Sequence, residues 1–179
     1  QGGMDAHQRR QSAAVLAGAD ISGCAIGGLS VGEPKPVMAA MLEVVTPVLP
    51  VHKPRYLMGV GSPEDLWMGV ARGVDLFDCV LPTRLARNGA LFTPDGRVNI
   101  KNRRFAETHV PLDETCDCAA CQGFSAAYIH HLFRAREVLG LRLASVHNLR
   151  FLAREMESIR HAIVTETFSS AYQSFQERY

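Results

Sequence analysis

No apolar run in these 179 residues approaches the ~20 needed for a membrane-spanning helix, so no membrane partner is expected. An excess of one charge is also missing. Lys and Arg number 19 against 18 Asp and Glu, a net charge of +1, so any attraction to nucleic acid has to come from a local patch. The chain shows no internal repeat and no low-complexity tract. Its opening residues lack the basic segment followed by an apolar one that marks a secretion signal. There is no initiator Met, and the turn-like Gln1-Gly2-Gly3 reads as a stretch begun inside a larger fold. Cysteine is sparse and odd in number: five, three of them crowded into 116–121. That pattern argues against a secreted disulfide framework and fits the reducing cytoplasm and a metal site. The remaining composition, 47% hydrophobic and 21% charged, is that of a globular chain long enough for a real core.

The first 80 residues alternate helical and strand patterns. Asp5 is a good cap for a helix over 6–17, ahead of Gly18. The run 24–26 reads as a buried strand entering Gly27-Gly28. Pro34 and Pro36 open a helix continued by 37–48. A second strand is expected over 55–60, a helix from Ser62-Pro63 to Gly73, and a third strand over 74–80. Strand, helix, strand, helix, strand at this spacing predicts parallel β/α units whose strands are apolar on both faces. The pattern alone leaves open whether they belong to a closed barrel or an open doubly wound sheet. Beyond residue 81 the style changes. Residues 90–93 and 97–100 flank Pro94-Asp95-Gly96 as a hairpin. From Ser125 onward the chain reads as helical, broken near Gly140 and restarted near His147.

Cys116, Cys118 and Cys121 set three soft thiolates within six residues. Zinc takes four tetrahedral ligands of this kind. His130, His131, His147 and His161 are the histidines available to complete the set. His147, expected at the start of the last long helix, is well placed to reach back to a loop, whereas His130 and His131 read as a packing or surface pair. Three thiolates and an imidazole leave no open position, so such a site is structural.

Asp78 lies at the expected C-terminal end of the third strand, where ligands sit in α/β folds. It is either a catalytic carboxylate or one that caps the loop or pairs with Arg84 or Arg87. The loop Gly27-Gly28-Leu29-Ser30-Val31-Gly32-Glu33 also ends a strand and offers backbone groups to a close ligand, or is a plain β-to-α turn. Residues 83–104 carry six basic side chains (Arg84, Arg87, Arg97, Lys101, Arg103, Arg104) against the single acid Asp95. A phosphate backbone or solvent alone could face this stretch.

Taken in order, the strings Gln1-Gly2-Gly3, Gly27 to Glu33, Arg55-Tyr56-Leu57-Met58-Gly59-Val60-Gly61, Phe77-Asp78-Cys79-Val80-Leu81-Pro82-Thr83-Arg84, Ala86-Arg87-Asn88-Gly89, and Cys116-x-Cys118-x-x-Cys121 with His147 resemble the bacterial-type tRNA-guanine transglycosylase family over nearly the whole chain. The resemblance implies an α/β fold: the later strands of a (β/α)8 TIM barrel with a C-terminal zinc-binding subdomain and long terminal helices. It implies barrel units over 1–89, the hairpin and zinc subdomain over 90–148, and a helical segment over 149–179 that closes the barrel. It selects His147 as fourth ligand of one structural zinc per chain.

The activity implied is exchange of guanine at the wobble position of a tRNA anticodon for 7-aminomethyl-7-deazaguanine, in queuosine biosynthesis. Asp78 would be the nucleophile that holds a covalent tRNA intermediate. Gln1, Gly28, Leu29, Glu33 and Met58 would bind the base. Gly59, Val60, Gly61, Ser62, Pro63, Glu64 and Asp65, with Thr83, Arg84, Leu85, Ala86 and Arg87, would meet the RNA. The family's acid/base aspartate belongs to its N-terminal half, so the isolated chain is expected to be inactive. The other reading weighed is a non-catalytic RNA-binding or zinc-dependent partner subunit of the same family. A homodimer is expected, with Phe124, Tyr128 and His131 at i, i+4 and i+7 on one helical face.

Overall fold

Asp5 starts the first helix, α1 (Ala6–Ala17), by accepting a hydrogen bond from the Gln8 N–H at 2.9 Å. The computed structural model describes residues 1–179. The chain packs as two units, Gln1–Val80 and Leu81–Tyr179.

In the first unit α1 is followed by β1 (Cys24–Ile26), α2 (Lys35–Val45), β2 (Arg55–Leu57), α3 (Pro63–Val70) and β3 (Leu76–Phe77). The three strands are parallel, ordered β1-β2-β3, and their register sets Ala25, Tyr56 and Leu76 in one row and Ile26, Leu57 and Phe77 in the next. Alternation along a strand then separates two faces. Cys24, Ile26 and Leu57 are buried in a core with Met38, Met41, Leu42 and Val45 of α2. The other face is open, with Leu76 51% exposed. Both faces carry apolar residues as expected, but only the row of Ile26, Leu57 and Phe77 joins the core formed with α2, while Ala25, Tyr56 and Leu76 line the open side. The strands are also shorter than expected. The Met58 N–H makes the last bond to the Ile26 carbonyl, at 3.0 Å, and the chain then turns away. Ser62 caps α3 as expected, its hydroxyl accepting from the Asp65 N–H at 3.2 Å.

The second unit opens with a short helix that the sequence reading missed, α4 (Leu81–Arg87). The hairpin of β4 (Ala90–Thr93) and β5 (Gly96–Asn99) follows. Its turn is the two residues Pro94-Asp95, since Gly96 pairs with Thr93. A 3-10 turn at Arg103–Phe105 leads to α5 (Ala119–Gly123), α6 (Ala126–Ala135), α7 (Val138–Val164) and α8 (Phe168–Arg178). The break expected near Gly140 and the restart near His147 do not occur. The chain turns at Arg136, in the left-handed region at φ 59°, and α7 then runs unbroken through both residues. Gly140 serves close packing instead. A Cβ there would stand 2.9 Å from the Leu132 Cβ of α6.

Candidate functional site

Residues spaced by two along the open face of the parallel sheet place Tyr56 beside Leu76, and Asp78 follows Leu76 just beyond the end of β3. The Tyr56 hydroxyl donates to Asp78 Oδ1 at 2.6 Å, and the Gly59 N–H donates to the same oxygen at 2.8 Å. These donors, Tyr56 first and Gly59 next, hold the Asp78 carboxyl below its ordinary range. The same bond raises the Tyr56 phenol above its own. Asp78 is therefore an ionised, solvent-facing carboxylate whose Oδ1 is fixed, and no ion pair to it is needed to keep its charge. Met58 is 43% exposed, outside the buried core. Asp65, by contrast, is buried and ion-paired with Lys35.

The loop after β1 is held from behind by two charged side chains. Arg9, only 3% exposed, lies in α1. Its Nη1 donates to the Gly27 carbonyl and its Nη2 to the Gly28 carbonyl, both at 2.8 Å, while Nε donates to the Gly3 carbonyl at 2.6 Å. Burial presses the Arg9 pKa down, and Glu33 works against that shift. The Glu33 carboxylate accepts the Ser30 and Val31 N–H groups. Because the N–H and C=O of one peptide point oppositely, holding the Ser30 N–H turns the Leu29 carbonyl the other way. Gly28 sits at φ 66°, and the Gln1 side chain lies so close over this turn that a Cβ on Gly27 would stand 2.6 Å from its Nε2. Gln1, Gly28, Leu29 and Glu33 thus gather at one loop.

In the second unit Cys116, Cys118, Cys121 and His147 are all buried, and their ligand atoms lie within 4.8 Å of one another. Cys118 caps α5, its sulfur accepting from the Cys121 N–H at 3.3 Å. His147 is presented from the middle of α7 rather than from its start. Its Nε2 donates to the Phe92 carbonyl at 2.7 Å, and its Nδ1 lies 3.3 Å from the Cys121 sulfur and 3.7 Å from that of Cys118. A carbonyl can only accept, so the neutral ring carries its lone pair on Nδ1, aimed at the sulfurs. A ligand histidine held this way through its other nitrogen is the usual metal arrangement. Electrostatics agree. Hydrogen bonding from Cys121 first, against desolvation and with help from His147, takes the Cys118 thiol down to about 3. Burial opposes charge on His147, yet bonding to Cys116 and Cys118 raises it to about 9. The partner thiol moves the other way, since Cys121 gives its hydrogen bond to Cys118 and is buried, which pushes it up. The cluster thus places negative charge on one sulfur beside an imidazole that attracts a proton, a setting that favours a positive charge among these atoms. The residues present can hold a metal ion.

The loop bearing the cysteines is tied to α7 by groups the sequence reading did not single out. Arg150 makes a two-point contact with Asp117, at 2.7 and 2.9 Å, and Arg154 reaches the buried Asp113 at 3.1 Å. Residues 147, 150 and 154 are spaced i, i+3 and i+7, one stripe of a helix. That spacing was the available signal. Asn148 is completely buried; it accepts from the Phe92 N–H and donates to the Pro82 and Ala90 carbonyls. In the first unit the missed residues are Arg9 and Tyr56. Arg9 stands on the same helical stripe as Ala6, Ala13 and Leu16, which are packed in the core. A lone cation on an inward stripe was its signal.

Other expected residues fall differently. Gly59, Ser62 and Glu64 are accessible, whereas Val60, Gly61, Pro63 and Asp65 are buried. In α4 Arg84 and Arg87 are exposed, Thr83 and Leu85 half-buried, and Ala86 buried. All six basic side chains between 83 and 104 are exposed. His130 is bonded through Nδ1 to the Ile100 carbonyl at 2.7 Å, and His131 is exposed. Phe124 lies outside α6, in extended backbone, so the expected single helical face is corrected. Its ring stacks on Tyr128 at 5.2 Å all the same, and Tyr128 is 39% exposed.

A family model described as Queuine tRNA-ribosyltransferase matches residues 1–179. The chain is 62% identical over 179 residues to the queuine tRNA-ribosyltransferase of Herpetosiphon aurantiacus, covering 100% of this chain and 46% of that protein. It is 58% identical to that of Symbiobacterium thermophilum and 55% to that of Bacillus subtilis, again over the whole of this chain and 45% and 47% of theirs. The chain thus spans about half the length of the curated relatives it matches.

Proposed function

The chain belongs to the queuine tRNA-ribosyltransferase family, and from that premise we propose that the whole protein exchanges guanine at the wobble position of a tRNA for 7-aminomethyl-7-deazaguanine, a step of queuosine biosynthesis, with Asp78 as nucleophile. The observation that carries this reading is the ionised Asp78 carboxylate, held by the Tyr56 hydroxyl and the Gly59 N–H at the edge of an open sheet face. One Asp78 oxygen attacks the ribose anomeric carbon, and guanine leaves with the glycosidic electron pair. The incoming base then attacks the same carbon and the aspartyl ester bond breaks. One glycosidic bond replaces another, so no oxidant and no nucleotide is consumed. Loss of the leaving base gives the sugar oxocarbenium character, which a carboxylate beside it stabilises.

The base would rest against Met58 and receive hydrogen bonds from the Gln1 amide and the Gly28 N–H, with the Leu29 carbonyl accepting from its aminomethyl group and Glu33 keeping that peptide in place. Arg84, Arg87 and the other exposed cations of 83–104 would meet the phosphates. In the proposed assignment the parallel strands are later strands of a (β/α)8 barrel, and one zinc ion is held by Cys116, Cys118, Cys121 and His147. Zinc in that closed set supplies cross-linking of loop and helix, not a reactive water. The stacked Phe124 and Tyr128 are proposed to lie in a homodimer interface. A purely RNA-binding subunit would have no need for an ionised carboxylate bonded in this way.

The test is incorporation of labelled guanine into a cognate tRNA by the intact protein, with and without Asp78→Asn. Exchange lost in the variant supports the reading. Exchange that persists at the parent rate overturns it.

A further inference from the structure

We infer that Arg9 is the positioning residue of the base-binding loop: by capturing the Gly27 and Gly28 carbonyls it aims the Gly28 and Leu29 N–H groups outward as preset donors, and by capturing the Gly3 carbonyl it holds the turn that carries Gln1. The inference rests on the functional reading above for the identity of the ligand, a purine-like base.

The argument starts from the three bonds at 2.6 to 2.8 Å that Arg9 makes to carbonyls belonging to two separated stretches of chain. A buried guanidinium usually faces a carboxylate or phosphate. Here every acceptor it has is a backbone carbonyl, and the only acid affecting it is Glu33, which spends its own oxygens on Ser30 and Val31. A cation kept in the interior for carbonyls alone is expensive unless the geometry it fixes is needed. What it fixes is peptide orientation. The Gly27 carbonyl and the Gly28 N–H share one peptide plane and point in opposite directions. Bonding the first to Arg9 therefore turns the second away from Arg9. The same holds for the Gly28 carbonyl and the Leu29 N–H, and Glu33 does the mirror-image task for the Leu29 carbonyl. Three consecutive peptides, 27–28, 28–29 and 29–30, are thus each held from behind by a charge. Gly residues at 27 and 28 would otherwise leave these planes loose.

The cation has a second effect. A hydrogen bond to a carbonyl polarises its amide and makes the N–H on the same peptide a better donor. Arg9 therefore sharpens the loop's donors toward a carbonyl-bearing heterocycle as well as aiming them. Lysine would keep the charge but cannot span three carbonyls with a planar fork.

The test uses the intact protein with Arg9→Gln and Arg9→Lys, and Arg10→Gln, an exposed neighbour on α1, as control. Two quantities are read: KM for guanine beside KM for tRNA, and amide hydrogen exchange of segment 27–31 without ligand. Arg9→Gln is expected to raise KM for guanine at least ~10-fold, the loss of one charge-assisted bond's worth of positioning, with KM for tRNA within about twofold on the scale of a surface change. Segment 27–31 is expected to exchange faster while the rest of the unit does not, and Arg9→Lys to recover only part of the loss. An unchanged KM for guanine, or equal rises in both KM values with faster exchange throughout the unit, overturns the inference. If the parent protein exchanges no guanine at all, the functional reading fails, and unchanged protection of 27–31 in Arg9→Gln then still decides against the lock.

Discussion

The Tyr56 hydroxyl on β2 and the Asp78 carboxylate just past the end of β3 face each other at 2.6 Å, and each shifts the other: the acid becomes stronger and the phenol weaker. A group whose pKa is depressed stays charged to lower pH. Removing the donor should let Asp78 protonate at higher pH. In Tyr56→Phe the acid limb of the base-exchange profile is therefore expected to move up in pH, while the alkaline limb keeps its place. A pH–rate series on parent and variant checks this. An acid limb at the parent position would assign the control of Asp78 to Gly59 alone.

Asp78→Asn should abolish the tRNA adduct that survives denaturant. An amide is a poor nucleophile, and it keeps the shape and part of the hydrogen bonding of the acid, so folding and tRNA binding should persist. The measurement is a denaturing gel with labelled tRNA, beside a binding isotherm. A persisting adduct would mean another residue attacks.

Metal analysis of the purified protein should find one zinc per chain. Cys121→Ala should lose it and unfold the second unit, since structural zinc contributes on the order of 10 kcal/mol to folding. Zinc should also leave as pH falls, because protons compete for the thiolates and for His147 Nδ1. Mass spectrometry under non-denaturing conditions and circular dichroism follow both effects. A folded, zinc-free variant would show that the cluster is dispensable.

Asn148→Leu should lower stability by about 2–4 kcal/mol, because it strands the Phe92 N–H and the Pro82 and Ala90 carbonyls in a buried setting. Zinc should remain bound, since His147 is untouched. Urea unfolding with parallel metal analysis reads the two quantities separately.

Tyr128→Ala should weaken self-association if the Phe124–Tyr128 stack lies in a dimer interface, by ~1–2 kcal/mol or roughly tenfold in dissociation constant. Sedimentation at several concentrations measures it. A protein that is monomeric throughout, or a variant that dimerises like the parent, removes this surface from consideration.

Local signals were legible where one physical cue decides the structure. Asp5 and Ser62 cap their helices as expected because a short polar side chain ahead of a run of helix formers, or of a Pro at the first helical position, accepts the N–H groups that the helix start leaves free. The Cys116, Cys118 and Cys121 cluster was legible from spacing. Its fourth member needed help. His147 was placed at a helix start from local composition, whereas Gly140 had been read as a break. Glycine is compatible with a helix when a neighbouring helix needs the space its missing Cβ leaves, and only the packing against Leu132 reveals that. Asp78 was legible as a strand-end acid, but Tyr56 was not. Their meeting depends on the register between β2 and β3, a relation between distant segments that no window along the chain contains. Arg9 was hidden for the same reason, since its acceptors at Gly27 and Gly28 lie 18 and 19 residues away.

The sulfur of Cys118 caps α5 and also stands within the four-atom cluster. Peroxide converting that thiolate to a sulfenic acid would remove a donor from any cation held there and an acceptor from the helix start in one event. Oxidative damage at this place should therefore be seen as release of the proposed metal together with fraying of α5, and reductant alone, without added metal, should restore the thiol but not the ordered loop.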